Sequence, residues 1–266
     1  MTEPVIHRTF GRRAFGRDPA GYDAARPAYP EWVFDCLRER CGLGPGAVTF
    51  EIGAGTGTAT RPLLKLGANP LLAVEPDGRL AGFLRETVPD KALTIVVAPF
   101  EEAVLQEGSF DLGVAATAFH WLNEDFALTR AAKLLRPGGW WAMFWNVFGD
   151  PHRPDPFHEA TESLLNKPLS PSAGNGEEPF ALDVKARLAA LERTDAFDRV
   201  EHRSSTWMLV LDPDQTVALY ATYSNVNIRP DREHVLNELR RIARDEFRGC
   251  VTRNMTTSLY VARRRP

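Results

Sequence analysis
The stretch FEIGAGTGTAT, residues 50–60, limits this chain more than any other. A short apolar run, AVTFEI (47–52), feeds straight into Gly53, Gly55 and Gly57, separated only by small residues. Glycine at such density means that the backbone turns tightly or lets something approach closely. A helical stretch follows, ATRPLLKLG, with Pro62 in its first turn and Gly67 at its end. The unit is therefore strand, glycine loop, helix, the usual opening of a nucleotide-type site in an α/β sheet.

The pattern continues downstream. PLLAVEP (70–76), ALTIVVA (92–98), FDLGVAAT (110–117) and WWAMFWNV (140–147) read as further strands. DGRLAGFLRETV (77–88), capped by Asp77, and EDFALTRAAKLLRPGG, stopped by Pro137 and the glycines, read as the helices between them. A helix over PEWVFDCLRERCG, with Pro30 near its start and Gly42 as its stop, precedes the first strand. Strands that are apolar nearly throughout, alternating with helices, predict a parallel sheet covered on both faces. Ligands on such sheets bind beyond the carboxyl ends of the strands. That points to the loops after residues 52, 75, 98 and 117.

The C-terminal part is less regular. Residues 150–182 are rich in Pro, Asp, Ser and Gly and are expected to form an inserted cap or a loop. Helical stretches follow at 183–193 and 231–247, with strands at 201–211 and 252–264. The expected division is an N-terminal arm over 1–28 and one domain over 29–266, comprising a core (29–149), the insert (150–182) and a C-terminal completion (183–266).

Bulk properties narrow the function. A net charge of −3 gives no general attraction to nucleic acid. The longest apolar runs, LGVAATAF and WWAMFW, are far too short to span a membrane. Three cysteines, Cys36, Cys41 and Cys250, fit neither a disulfide framework nor a zinc spacing, and no apolar stretch follows the basic N-terminal residues. The expected setting is therefore a reducing cytoplasm. His152 and His158 stand in a Pro-rich segment without a metal-binding spacing, so no metal site is expected.

The glycine loop departs from the dinucleotide fingerprint, which wants glycine at its first, third and sixth positions; here these are Gly53, Gly55 and Thr58. No Gly-Lys-Ser/Thr follows, which removes the ATP-type P-loop. The run Glu-x-Gly-x-Gly-x-Gly, starting at Glu51, instead resembles the first motif of class I S-adenosylmethionine-dependent methyltransferases. AVEP (73–76), VVAPFEEAVL (96–105), ATAFHWL (116–122) and LLRPGGWWAMFW (134–145) are similar to later motifs of the methyltransferase-11 type. YDAARPAYPEWVFDCL (22–37) resembles a small-molecule subgroup of that type, similar to trans-aconitate methyltransferases.

The resemblance implies a Rossmann-like α/β fold: a seven-stranded, mostly parallel sheet with helices on both faces, an N-terminal lid, and substrate-side elements in the insert and C-terminal part. It implies S-adenosylmethionine as cofactor, held by Gly53, Ala54, Gly55 and Gly57, with Glu51 toward the methionine amino group. Glu75, followed by Pro76, would take the ribose hydroxyls. A carboxylate offers two acceptor oxygens to the two donors of a cis-diol. Phe100 and Glu101 would face the adenine, Thr117, Ala118 and Phe119 would line the fourth strand's end, and Tyr22 and Arg26 would belong to the lid. Arg26 would pair the methionine carboxylate or a substrate acid.

His120 is the candidate catalytic residue, either touching substrate or serving as general base. Trp121, Trp140 and Trp141 are expected in the core or the pocket wall, and Tyr220, Tyr223, Asn225 and Arg229 are candidates for the substrate side. The implied reaction is in-line methyl transfer to an oxygen or nitrogen of a small molecule, a carboxylic acid among the options. The sequence leaves open an NAD(P)-dependent oxidoreductase and a non-catalytic binding module. Base methylation of nucleic acid is disfavoured, since ATAFHW stands where an Asn/Asp-Pro-Pro-Tyr/Phe tetrad would be needed. Oligomeric state is not legible.

Overall fold
In strand β5, Leu135–Val147, neighbouring side chains are buried on opposite sides: Trp141 and Met143 in one core, Ala142 and Phe144 in another. That alternation, apolar on both faces, is what a strand in the middle of a sandwiched sheet requires. A computed structural model describes residues 6, 15–165, 170–174 and 178–266 of this chain. Among the described residues, seven strands form one sheet in the order β3-β2-β1-β4-β5-β7-β6. The others are β1 (Ala47–Ile52), β2 (Ala68–Val74), β3 (Leu93–Val96), β4 (Phe110–Ala116), β6 (Phe197–Leu211) and β7 (Val251–Arg264). β1 to β5 pair in parallel, while β7 runs antiparallel between β5 and β6. The mostly parallel seven-stranded α/β sheet expected from the sequence is therefore present.

Helices cover both faces. Glu31–Arg40 and Thr60–Lys65 pack Val33, Leu37 and Leu63 onto one side, against Leu112, Val114 and Phe144. Glu124–Leu134 and Val184–Arg193 pack Leu128, Ala131 and Leu191 onto the other, against Phe50, Trp141 and Met143. A third core joins Pro156–Leu165, Pro213–Tyr220 and Arg232–Asp245 beyond the ends of β6 and β7.

Several boundaries differ from the sequence reading. The helix before β5 ends at Leu134, and β5 starts at Leu135 rather than at residue 140. The residue before a proline is pushed out of the helical region, so Pro137 ends the helix early and the chain enters the sheet before the glycines. β2 starts two residues earlier than expected and stops at Val74, which leaves Glu75 just past the strand. Among the described residues, four α-helices were not read from the sequence: the short Ser224–Asn227 and the longer Pro19–Ala25, Pro156–Leu165 and Pro213–Tyr220. Each of the three longer ones begins at a proline directly behind an aspartate, a composition that looks like a turn.

β1 has β2 on one side and β4 on the other, so the chain order reverses between β1 and β4. The crevice above that switch point is the natural ligand site of an open α/β sheet. One buried group ties the segment after β5 to β7. Arg253 on β7 is fully buried; its Nε donates to both oxygens of Asp155 (2.9 and 3.1 Å), its Nη2 donates to the Phe148 carbonyl (2.6 Å), and its Nη1 reaches the Tyr220 hydroxyl. Removing one partner of a buried pair strands the other charge. Asp155→Ala is expected to lower unfolding free energy by about 3–5 kcal/mol in denaturant titration, whereas Arg241→Ala, an exposed pair with Glu238, costs under about 1 kcal/mol. Equal effects would show that the buried cluster does not brace the fold.

Candidate functional site
The site begins where β1, β2 and β4 end. The segment 53–57 leaves β1 with positive φ at Gly53 (67°), Gly55 (59°) and Gly57 (96°). At Gly53 a side chain is excluded twice over, because a Cβ would lie 2.5 Å from the Ala118 methyl of the neighbouring strand's loop. The Gly55 N–H donates to Glu75 Oε2 (2.8 Å), and the Asp77 N–H donates to Glu75 Oε1 (2.9 Å). The acid closing β2 thus pins the glycine loop of β1. Each carboxylate oxygen carries two lone-pair sites.

Glu51, next to the end of β1, is 1% exposed and accepts a hydrogen bond from Thr60 Oγ1 (2.6 Å). Burial lifts its carboxyl to about 8, with the neighbouring Glu75 adding to the rise and the Thr60 hydroxyl opposing it. A buried carboxyl that titrates near neutrality is a socket for a cation, which supplies the stabilisation that water no longer gives.

At the end of β4, Thr117 takes φ +51°, a conformation that costs a β-branched residue on the order of 1–3 kcal/mol. Two bonds hold it there: its N–H donates to the Phe144 carbonyl, and its Oγ1 pairs with the Tyr29 hydroxyl, each at 2.8 Å. The turn that follows carries His120, 4% exposed, whose Nδ1 accepts from the Trp145 indole N–H at 3.0 Å.

The residues from 18 to 29 close over these strand ends. Arg61 on Thr60–Lys65 forms a two-pronged pair with Asp23 (3.0 and 3.1 Å). Asn146 Nδ2 donates to the Pro27 and Ala28 carbonyls. The Arg26 guanidinium donates to the Thr222 carbonyl (3.2 Å) and lies 5.1–5.4 Å from the ring centres of Tyr22, Phe148 and Tyr223. Its Nε has no hydrogen-bond partner among the described residues.

These parts line a cavity of about 400 Å³, within the range of small-molecule sites. Of the residues singled out from the sequence, Glu51, Gly53, Ala54, Gly55, Glu75 and Pro76 line it from the β1–β2 side. Phe100, Thr117, Ala118 and His120 line it further along, and Tyr22 and Arg26 from the N-terminal segment. Three do not line it. Gly57 faces the interior, where a Cβ would meet Leu84 at 2.6 Å. Phe119 is fully buried beside Trp141 and Phe180. Glu101 lies in the turn after Phe100, outside the lining.

Of the substrate-side candidates, Tyr223 and Asn225 reach the cavity. Tyr220 belongs to the Arg253 cluster, and Arg229 is bound to Asp231 and the Leu164 carbonyl. Trp121 is in the wall, Trp141 in the core, and Trp140 partly buried in the opposite core. His158 lines the cavity, while His152 pairs with Glu178. Among the described residues no group of three or more His, Cys, Asp or Glu is placed to hold a metal, and no helix is long and apolar enough to cross a membrane.

Lining residues that sequence reasoning missed include Phe15, Tyr29, Trp145, Asn146 and Phe180. Trp145 and Asn146 end an apolar strand and looked like core. Phe15 and Phe180 sit in irregular segments, where no periodicity marks a functional face. Glu51 and Glu75 are the two acids of the described lining. The β5 side is walled by aromatic rings, with Trp145 and Phe180 5.8 Å apart and Phe15 5.6 Å from Trp121.

The raised carboxyl at Glu51 has a consequence for stability. The folded protein keeps a proton that the unfolded chain releases above about 4.5. That contribution is complete below the unfolded value and is lost as pH rises through the folded one. Glu51→Gln is therefore expected to gain stability over the unmodified chain by up to about 1.4 kcal/mol for each pH unit from 6 to 8. Denaturant titrations at both pH values read the difference, and parallel curves would contradict a protonated buried acid.

Comparison with known proteins adds to this geometry. Residues 50–143 match the family described as "Methyltransferase domain". An uncharacterized methyltransferase of Mycobacterium tuberculosis (strain H37Rv) is 33% identical over 136 residues, 50% of this chain and 52% of that protein. An uncharacterized methyltransferase-like protein of Schizosaccharomyces pombe is 28% identical over 141 residues, 52% of this chain and 53% of that protein. The matches thus span about half the length of these curated relatives.

Among solved structures, phosphoethanolamine N-methyltransferase 2 of Haemonchus contortus, in complex with S-adenosyl-L-methionine, aligns with a TM-score of 0.61 at 14% identity. That alignment covers 96% of this chain and 60% of that one. The [4+2]-cyclase SpnF aligns with a TM-score of 0.61 at 12% identity, covering 100% of this chain and 99% of that one. At such identities the structural likeness carries the fold alone, and the likeness to methyltransferases in sequence is confined to about half of this chain, with residues 50–143 matching the methyltransferase-domain family.

Proposed function
We propose that the chain is an S-adenosylmethionine-dependent methyltransferase acting on a small molecule. The observation that carries this reading is the placing of Glu51 and Glu75 at the ends of adjacent strands, on either side of the glycine loop and facing one cavity. Glu51 would receive the ammonium of the methionine part, and Glu75 the two ribose hydroxyls. Gly53, Ala54 and Gly55 would let the ligand backbone lie close, Phe100 would meet the base, and Arg26 would face a carboxylate. The buried carboxyl of Glu51 and the unpartnered Arg26 Nε both suit a zwitterionic amino-acid moiety. When bound, S-adenosylmethionine supplies a methyl group already activated on a sulfonium.

The rest of the chemistry is placement. Holding an acceptor in line with that carbon is worth roughly 7–11 kcal/mol through orientation. The segment from Asp18 to Tyr29, fastened by Arg61, Asn146 and Thr222, would serve as the lid that excludes water. The β5 side, aromatic and without a carboxylate among the described lining, suits a neutral or anionic acceptor with an apolar body better than a cationic amine. A small carboxylic acid fits those terms and needs no base at neutral pH. A cavity of small-molecule size and a net charge of −3 favour a small molecule over nucleic acid.

An NAD(P)-linked reading fits less well. Its diphosphate would have to sit on loop N–H groups, and the Gly55 N–H is taken by Glu75, whose charge would oppose it. Calorimetry should show binding of S-adenosylmethionine and not of NAD; the reverse would remove the proposal. Glu75→Ala should weaken that binding roughly ten- to a hundredfold, the worth of charge-assisted hydrogen bonds, and an unchanged affinity would remove the ribose assignment. Release of S-adenosylhomocysteine over a panel of small acids, phenols and amines identifies the acceptor. The acids are expected to lead.

A further inference from the structure
The two nitrogens of the His120 ring do not play equal parts. Nδ1 lies 3.0 Å from Trp145 Nε1, and both side chains are buried, 4% and 2% exposed. The indole nitrogen can only donate, so Nδ1 must be the bare, accepting nitrogen of the ring. In a neutral imidazole the proton then stands on Nε2. The ring is wedged in this orientation, its centre 5.3 Å from that of Trp121 and 6.3 Å from that of Phe180. Trp145 is itself fixed at the end of β5, with Phe180 at 5.8 Å and Tyr260 at 6.2 Å. His120 and Trp145 both line the cavity.

We propose that Trp145 is a positioning residue that holds His120 as its Nε2–H tautomer, so that His120 meets the acceptor as a hydrogen-bond donor and not as a general base. To accept the acceptor's proton at Nε2, the ring would first have to move its own proton to Nδ1. The Trp145 N–H already occupies that position. The acceptor is thereby required to present an oxygen or other lone pair to His120 and to arrive with its nucleophile already deprotonated. Phenols and alcohols that rely on His120 to remove a proton are selected against. This inference rests on the methyltransferase reading, but its first test does not.

Long-range 1H–15N spectra of the protein saturated with S-adenosylhomocysteine report the ring directly, and the His120 signals are identified by their absence in His120→Gln. The expected pattern is a protonated Nε2 and an unprotonated Nδ1, changing to a mixture of tautomers in Trp145→Phe. A protonated Nδ1 in the unmodified protein, or an unchanged ring in folded Trp145→Phe, would overturn the proposal. If Trp145→Phe does not fold, a scalar coupling across the hydrogen bond between Trp145 Nε1 and His120 Nδ1 decides it: present, the lock stands; absent, it falls.

Turnover on the best acceptor from the panel supplies the second arm. His120→Gln can offer its amide N–H in place of Nε2–H and should stay within about tenfold of the unmodified enzyme, while His120→Ala loses about a hundredfold or more. Equal losses would restore His120 as a base. Failure of S-adenosylhomocysteine to bind at all would strike the methyltransferase reading and leave the unliganded ring spectrum to judge the tautomer.

Discussion

The bond from the Gly55 amide to the Glu75 carboxylate couples two strand ends that belong to different halves of a strand–helix–strand unit. A loop of three left-handed glycines has little conformational preference of its own. Glu75 supplies the missing constraint: it is buried, it begins just past β2, and its second oxygen is held by the Asp77 amide at the start of the next helix. The shape of the loop, the direction of the Gly78–Thr87 helix and the position of one acid are thus set together. The same arrangement places Glu75 close enough to Glu51 to add to the rise of the Glu51 carboxyl, which burial causes in the main. Such a pair gains from a ligand that brings a positive charge to one member and hydroxyl donors to the other.

The remaining elements act on that frame from outside. β4 contributes Thr117 in a strained conformation, secured through Tyr29, so the N-terminal segment and the sheet share one hydrogen bond at the cavity wall. Asn146 does the same from β5, linking the 27–28 carbonyls to Thr257 on β7 through its side-chain oxygen. The Arg253 cluster carries this bracing outward to Asp155 and the Phe148 carbonyl, so that the Phe148 ring is in place beside Arg26. The N-terminal segment, the sheet and the segment after β5 are therefore connected by buried polar contacts. Such contacts fix geometry more than they add stability.

The central sheet was legible because its strands are apolar on both faces and its loop acids interrupt that pattern. Glu51 and Glu75 stand out in AVTFEI and PLLAVEP for that reason. The antiparallel β7 was legible as a strand from its alternation, but its place between β5 and β6 was not, since strand order depends on long-range packing. Trp145 and Asn146 were hidden because a strand buried on both faces looks the same whether its last residues meet core or cavity. Gly57 and Phe119 mislead in the opposite sense: they sit inside motifs whose neighbours face the site, yet their own directions serve packing against Leu84 and Trp141. The helices starting at Pro19, Pro156 and Pro213 were missed because proline and acidic residues at a helix start look like turn chemistry until the downstream packing is known.

The account depends on where a nucleoside would sit. A crystal structure with S-adenosylhomocysteine addresses that directly. The expected result has both ribose hydroxyls on the Glu75 carboxylate, the amino group at Glu51, and the sulfur directed toward the aromatic side of the cavity beside His120. A nucleoside bound away from Glu75, or an anion seated on the glycine loop in its place, would contradict the assignment of this site.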